Sequence, residues 1–428
     1  MGKVIIQPDY SIDCFPNFNS NMEISRHRWY SFKEGFSAGL VNRAISEYMI
    51  GNRSSSVNIL DPFSGSGTTS LVAAENAIDS VAIEVNPFLA FVSEAKCMST
   101  SKKEFELIEE IKAILSFRPY EIESPIENIS TFAYRPELSK WLYNRSVIRG
   151  FESLKQSIRT ISNGFPPFML ALYSAMTDCS NAKRDGKCLR YKKGWQTMGF
   201  SSIELRERFE FYARQVAHDI TSLPLGKSDQ QIINSSALTA LTGEQLNRKK
   251  YDIIVFSPPY LNSFDYTDVY RPELFLGDYI KTQDELRDLR SQTLRSHIQY
   301  KWKAYNQSSS KEARDIVNSL ETRLSELWDK RIPSMVSSYF ADMEEILGNT
   351  YKVSNKDASM WIVVSTSAYG GIEIPVDNIL AELGKICGWK LEGIHNLRHI
   401  RSASQHTLKL QEAQNVRLRE SLIRLKKR

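Results

Sequence analysis

Val57-Asn58-Ile59-Leu60 runs without a break into Asp61-Pro62-Phe63-Ser64-Gly65-Ser66-Gly67-Thr68-Thr69 and then into an apolar run over residues 70–76. The first four residues read as a short buried strand, the glycine-rich segment as a tight turn, and the apolar run as a helix. A second strand, Ser80-Val81-Ala82-Ile83, ends at Glu84 and leads through Asn86-Pro87 into another helix. A strand, a glycine turn, a helix and a strand tipped by an acid predict a doubly wound α/β unit that binds a nucleoside. Compact β-branched runs at 231–233, 251–256 and 360–364 supply further strands of the sheet.

The details of the turn narrow its ligand. A phosphate-binding loop would carry Gly-Lys-Ser/Thr, whereas this one reads Gly67-Thr68-Thr69 without lysine, which disfavours nucleoside triphosphate hydrolysis. Asp61 at the head of the loop would repel phosphate and suits an ammonium group. Glu84 is placed to accept hydrogen bonds from two ribose hydroxyls. An amino-acid head beside a ribose describes S-adenosylmethionine.

A second motif, Ser257-Pro258-Pro259-Tyr260, directly follows the strand run 251–256. Two consecutive prolines fix φ twice and remove two N–H donors, leaving rigid carbonyl acceptors. Ser257 and the Pro258 carbonyl can take the two hydrogens of an exocyclic amine and aim its lone pair at a methyl sulfonium. Tyr260 would stack on the base, a contact worth about 1–3 kcal/mol and comparable with the cost of extruding that base from a duplex. Residues 262–270, polar and aromatic, are expected to shape the target-base pocket.

Together the two motifs resemble those of the DNA amino-methyltransferase family, which methylates N4 of cytosine or N6 of adenine. The loop 61–69 is similar to the family's cofactor loop, and residues 257–260 to its catalytic tetrapeptide. The segment Arg26-His27-Arg28-Trp29-Tyr30-Ser31-Phe32-Lys33-Glu34-Gly35-Phe36 is similar to the one that packs on the methionine part of the ligand. The resemblance implies a Rossmann-like methyltransferase sheet with an inserted, mainly helical target-recognition region. It implies S-adenosylmethionine contacts from Asp61, Pro62, Phe63, Gly65, Gly67, Thr68, Glu84, Asn86, Tyr30 and Phe36, and catalysis by Ser257, Pro258, Pro259 and Tyr260. Serine at the first position of the tetrapeptide goes mainly with N4-cytosine enzymes, leaving N6-adenine as the alternative. Protection of host DNA beside a cognate restriction endonuclease is implied as well. An RNA or protein-amide methylase and a non-catalytic nucleic-acid-binding module are the remaining alternatives. A five-position cytosine methylase would need a cysteine nucleophile beside proline, and no Pro-Cys occurs. The sequence departs from the family where the third strand ends in Asn234-Ser235 rather than in an acid, and where the long interval follows the second strand.

That interval, 101–228, reads as an inserted recognition domain between a cofactor half (1–100) and a catalytic half (229–280). A charged helical insertion (281–335) and the rest of the sheet with a basic ending (336–428) follow. Residues 183–195 hold six basic residues against Asp185 alone. Lys183, Arg184, Lys187, Arg190, Lys192 and Lys193, interleaved with Tyr191 and Trp195, suit duplex DNA. Residues 401–428 carry eight basic and two acidic residues, so the formal +5 of the 428-residue chain is concentrated there. The run 420–426 reads equally as an edge strand or as a basic helix.

Composition excludes other classes. With 42% hydrophobic and 25% charged residues the chain is globular rather than disordered throughout. Five scattered cysteines without C-x-x-C indicate neither a disulfide framework nor a zinc knuckle, and fit a reducing cytoplasm. The N-terminus lacks a signal-peptide core, Ile6 stands where myristoylation wants Ser or Thr, and the uncharged stretch 160–177 is broken by Pro166-Pro167. No membrane association is expected. His395, His399 and His406 have no carboxylate or cysteine beside them in sequence, so no metal site is expected.

Overall fold

The computed structural model describes residues 18–52, 56–117, 120–185, 188–247, 249–302, 306–400 and 418–428. Its strands are β1 (Asn58–Asp61), β2 (Asp79–Glu84), β3 (Ala182–Arg184), β4 (Leu189–Tyr191), β5 (Gln230–Asn234), β6 (Tyr251–Phe256), β7 (Ser354–Ser365), β8 (Ser367–Tyr369), β9 (Ile372–Ile374), β10 (Lys390–His399) and β11 (Arg419–Lys426). Seven of them form one sheet in the order β10-β11-β7-β6-β1-β2-β5, while β3-β4 and β8-β9 are separate two-stranded ribbons. Pairing is parallel from β7 to β5, and β11 runs antiparallel to both its neighbours.

The central strands are buried on both faces, as continuous apolar runs in parallel sheets must be. In β6, Ile254 and Phe256 join the core under the helices Ile332–Val353 and Val376–Ile386, while Ile253 and Val255 join the one under the helix Ala38–Gly51. The alternation follows from the two-residue period of a strand. Neighbouring β7 repeats it, with Met360 and Ile362 on the first face and Trp361 and Val363 on the second.

Residues 420–426 are neither a helix nor an edge. β11 lies inside the sheet between β7 and β10, with Ser421, Leu422, Ile423 and Leu425 fully buried. Cationic residues flank an apolar run that composition alone does not reveal as central. Residues 401–417 of the basic ending, His406 included, fall outside the described residues.

Between β2 and β5 the chain forms the helices Glu104–Phe117, Arg145–Ile161, Pro166–Asp178 and Ser202–Ser222, together with the β3-β4 ribbon. These helices share one core with Trp29, Tyr30, Phe88 and Tyr270. Arg26, at φ 62°, fastens the two regions together. Its guanidinium donates to the carbonyls of Lys96 and Met98 at one helix end and of Ile220 and Leu223 at another. Asp219, fully buried, accepts from the Arg26 backbone N–H (3.2 Å), Arg28 Nε (3.1 Å) and Trp29 Nε1 (2.9 Å). Farther along, residues 281–335 hold the helices Gln283–Gln292 and Lys311–Glu321 and the start of Ile332–Val353. Among the described residues no helix is long and apolar enough to cross a membrane.

Asp219→Ala strands these donors in a dry interior. It is expected to lower stability by about 1–3 kcal/mol, the range for orphaned buried partners, read as a fall in urea midpoint without a change in slope.

Candidate functional site

The order of the sheet reverses at β1, which pairs with β2 on one side and with β6 on the other. In open α/β sheets such a switch point opens a crevice at the carboxyl ends of the strands. A cavity lies there, bordered by Pro62, Phe63, Ser64, Gly65, Ser66 and Thr68 from the turn after β1 and by Glu84 and Asn86 after β2. Ser257, Pro258, Pro259 and Tyr260, after β6, border the same space.

Local chemistry builds the turn. Gly65 and Gly67 take φ 53° and 81°, a region that costs other residues strain, and Gly67 caps the helix Thr68–Glu75. A Cβ on Gly67 would stand 2.8 Å from the Ser93 backbone, and one on Gly65 the same distance from the Phe32 ring. The loop is tied to β2 by Ser64 N–H donating to Ile83 O at 2.9 Å. Glu84 then clamps both neighbouring loops, accepting from Gly65 N–H (2.8 Å) through one oxygen and from Asn86 N–H (2.9 Å) through the other. Asn86 caps the helix Pro87–Cys97 through its own oxygen.

Asp61 sits deeper than the loop it heads. It is almost wholly buried, is not part of the cavity wall, and accepts from Phe63 N–H at 2.9 Å. Burial pushes the carboxyls of both Asp61 and Glu84 up to about 7. The Asn86 Nδ2 and Ser66 Oγ atoms are buried without a hydrogen-bond partner, and both residues border the cavity. Unanswered polar atoms beside two carboxyls short of a cation describe a cradle for a polar, positively charged ligand.

The segment 26–36 divides between interior and wall. Phe36 borders the cavity, together with Phe32, Glu34 and Gly35. Tyr30 does not. It is buried beneath the wall, edge-on to Phe88 at 5.2 Å, its hydroxyl engaged with Glu273 and Arg184. Phe32 is a wall residue that the composition of the segment did not single out. Its position is legible only once Gly65 is seen against it. Thr293, Ser296 and His297 also border the cavity from the second insertion, where no motif marks them. His297 Nε2 lies 3.0 Å from Thr293 Oγ1, and burial lowers its basicity. Of residues 262–270, Tyr266 and Thr267 reach this cavity and Asn262 a neighbouring one, while Phe264 and Tyr270 are core.

The basic segment is a hairpin, with Ala182 opposite Tyr191 and Arg184 opposite Leu189. Lys183 and Lys193 are exposed, and Arg190 is exposed beside Asp185. Lys192 is half-buried and donates to Asp178 O at 3.0 Å. Tyr191 leans on Trp195, which is buried against Trp141 and so is unavailable to a base. Arg184 departs furthest from a phosphate-contacting role. It pairs with Glu273 and lies over the rings of Tyr30 (5.2 Å) and Tyr270 (4.6 Å), in the interior. Lys187 falls outside the described residues.

Comparison with known proteins gives the same direction. No family model matches the chain. It is 26% identical over 441 residues to the type II methyltransferase M.BsoBI of Geobacillus stearothermophilus, covering 92% of this chain and 84% of that protein. With the type II methyltransferase M.AvaI of Anabaena variabilis it shares 25% identity over 413 residues, covering 88% and 82%. These relatives support the resemblance to the DNA methyltransferase family that the two motifs carry. A third methyltransferase relative, M.MvaI of Kocuria varians, is 20% identical over 350 residues, 76% of this chain and 74% of that one. Among solved structures the rRNA methyltransferase aviRa of Streptomyces viridochromogenes aligns over 93% of this chain and 88% of its own, at 10% identity and a TM-score of 0.30, too weak a likeness for any inference.

Gly67→Ala is expected to lose about 1–3 kcal/mol, because the left-handed backbone and the Ser93 backbone leave a methyl group no room. A thermal melt reads the loss, and a midpoint matching the parent would refute the close packing of loop on helix.

Proposed function

We propose that the protein is a site-specific modification methylase that transfers a methyl group from S-adenosylmethionine to the N4 amine of cytosine in duplex DNA. The observation that carries this reading is the shared cavity, in which the glycine turn after β1 and the Ser-Pro-Pro-Tyr turn after β6 border one space. The type II methyltransferase relatives support DNA as the substrate, and a restriction endonuclease of the same site is the partner this reading implies.

The residues present fit the cofactor. Its bound sulfonium would supply an electrophilic methyl group, and the carboxyls of Asp61 and Glu84 match its charge and hydroxyls. Residues 62–68 form a lysine-free backbone rim, and Asn86 Nδ2 and Ser66 Oγ are donors awaiting a partner. At the other end, the Ser257 hydroxyl and Pro258 carbonyl accept the two amine hydrogens, which frees the nitrogen lone pair from conjugation. Tyr260 supplies the flat face for an extruded base. Because this route forms no covalent enzyme intermediate, the chain contributes position and electrostatics. Serine at 257 favours cytosine over adenine. The exposed cations Lys183, Arg190 and Lys193 suit the phosphate backbone, with residues 101–228 as the target-recognition region.

Ser257→Ala should slow label transfer to duplex DNA by about 100-fold or more while cofactor binding stays within about threefold of the parent, as for loss of one preorganised polar group. Asp61→Ala should do the reverse, weakening cofactor binding by about tenfold or more. Nucleoside mass spectrometry of the methylated DNA identifies the product, and N6-methyladenine in place of N4-methylcytosine would move the assignment to the alternative base.

The buried carboxyls add a pH signature. Their raised values mean that near pH 7 each is part protonated, whereas a cationic ligand favours the ionised form. Cofactor affinity should therefore fall as pH drops through about 7. Binding near that pH should release protons, detected by calorimetry in buffers of different ionisation enthalpy. Proton-silent binding at pH 6.5 to 7.5 would contradict this account.

A further inference from the structure

Beside this cavity lies a second chamber that contains none of the glycine-turn residues and shares Ser257 and Tyr260 with the first. Its far wall carries two charged side chains, Arg398 of β10 and Glu420 of β11. Glu420 is 4% exposed, yet its two oxygens are fully engaged. Oε1 accepts the Tyr260 hydroxyl at 2.6 Å, and Oε2 accepts Arg398 Nε at 2.7 Å. Nothing in the packing of β11 between β7 and β10 requires a carboxylate at this position. Its neighbours Ser421, Leu422 and Ile423 hold the strand.

We propose that Glu420 is a positioning residue for methyl transfer, fixing the Tyr260 ring as the stacking platform and setting the direction of its hydroxyl. This rests on the function proposed above. Arg398 can only donate, and an ionised Glu420 can only accept, so Tyr260 must donate its hydroxyl hydrogen bond to Glu420. The phenol oxygen is then left with only its lone pairs to offer the chamber that Ser257 also borders. A serine hydroxyl that donated to this oxygen would turn its own lone pairs outward, the state in which it can receive an amine hydrogen. The chain Arg398, Glu420, Tyr260 thus converts an ambivalent phenol into a committed acceptor beside Ser257. Burial raises the Glu420 carboxyl from its ordinary value, while Tyr260 and Arg398 hold it back towards the ionised form. The anchored hydroxyl also fixes the plane of the ring, whose rotation would otherwise cost stacking.

Glu420→Gln presents an amide hydrogen either to Arg398 or to Tyr260, so one bond is lost or reversed whichever way the amide sits. Its single-turnover methylation rate should fall by about tenfold, with cofactor affinity and duplex DNA affinity within about threefold of the parent. In the Tyr260→Phe background, which keeps the ring and removes the hydroxyl, the same substitution should change the rate by less than about twofold. A rate in Glu420→Gln equal to the parent's would overturn the inference. So would losses that multiply in the double variant, or a parallel loss of cofactor affinity, either of which marks a structural role alone. A parent protein that transfers no methyl group to any duplex would overturn the proposed function and this inference with it. A parent that does, beside an unaffected Glu420→Gln, would overturn the inference only.

Discussion

The pairing of β1 with β6, Ile59 opposite Ile253 and Leu60 opposite Ile254, is the constraint on which the remaining geometry depends. These residues are wholly buried, so the register cannot slip without turning apolar side chains out of two cores at once. With the register fixed, both strands end at one level and both following turns must open on one side of the sheet. Positions 61 and 257 are far apart in sequence, and parallel pairing delivers their turns to a common cavity. The inner place of β11 extends the same logic, because it brings Glu420 opposite Ser365 at the end of β7 and from there to Tyr260.

Charge is handled in and just beneath the cavity wall by withholding partners. Several other buried carboxyls meet a cation, as Asp342 does Arg295 and Asp377 does Arg419. Glu84 and Asp61 receive backbone N–H donors but no cation that an ion pair records, and their raised proton affinity is the result. A site that keeps two carboxyls in this condition favours a positive ligand over water without needing a long-range field. The cost is borne by the dense packing of the glycine turn, which holds the Gly65 N–H on Glu84.

Much of this was legible in the sequence because it is local. Residues 57–69 and 251–260 state strand, turn and chemistry within a few positions of each other, and the strands at 80–84, 231–233 and 360–364 lie within observed ones. What was not legible is non-local. Whether 420–426 lies at an edge or inside the sheet depends on β10, reached through the antiparallel pair 390–399. Arg184 and Lys183 are adjacent and chemically alike, yet one faces the interior and the other solvent, because side chains alternate along β3. Tyr30 and Phe36 show the same limit, since only the fold decides which aromatic of a segment reaches a cavity and which supports it.

Arg184 also explains why the hairpin and the cavity wall behave as one body. A buried guanidinium is tolerable only when its charge is answered. Here Glu273 takes the charge, and the rings of Tyr30 and Tyr270 lie within cation–π distance of it. Tyr270 in turn donates to Glu34 at 3.0 Å, and Lys33 donates to the Arg184 carbonyl at 2.9 Å. Glu34 borders both chambers, so the path from hairpin to cavity wall runs through a buried ion pair and two hydrogen bonds. Moving the hairpin away from the wall would strand Glu273 and Arg184 together. The exposed cations Lys183 and Arg190 are consequently carried on a ribbon whose position is set by the same residues that shape the site.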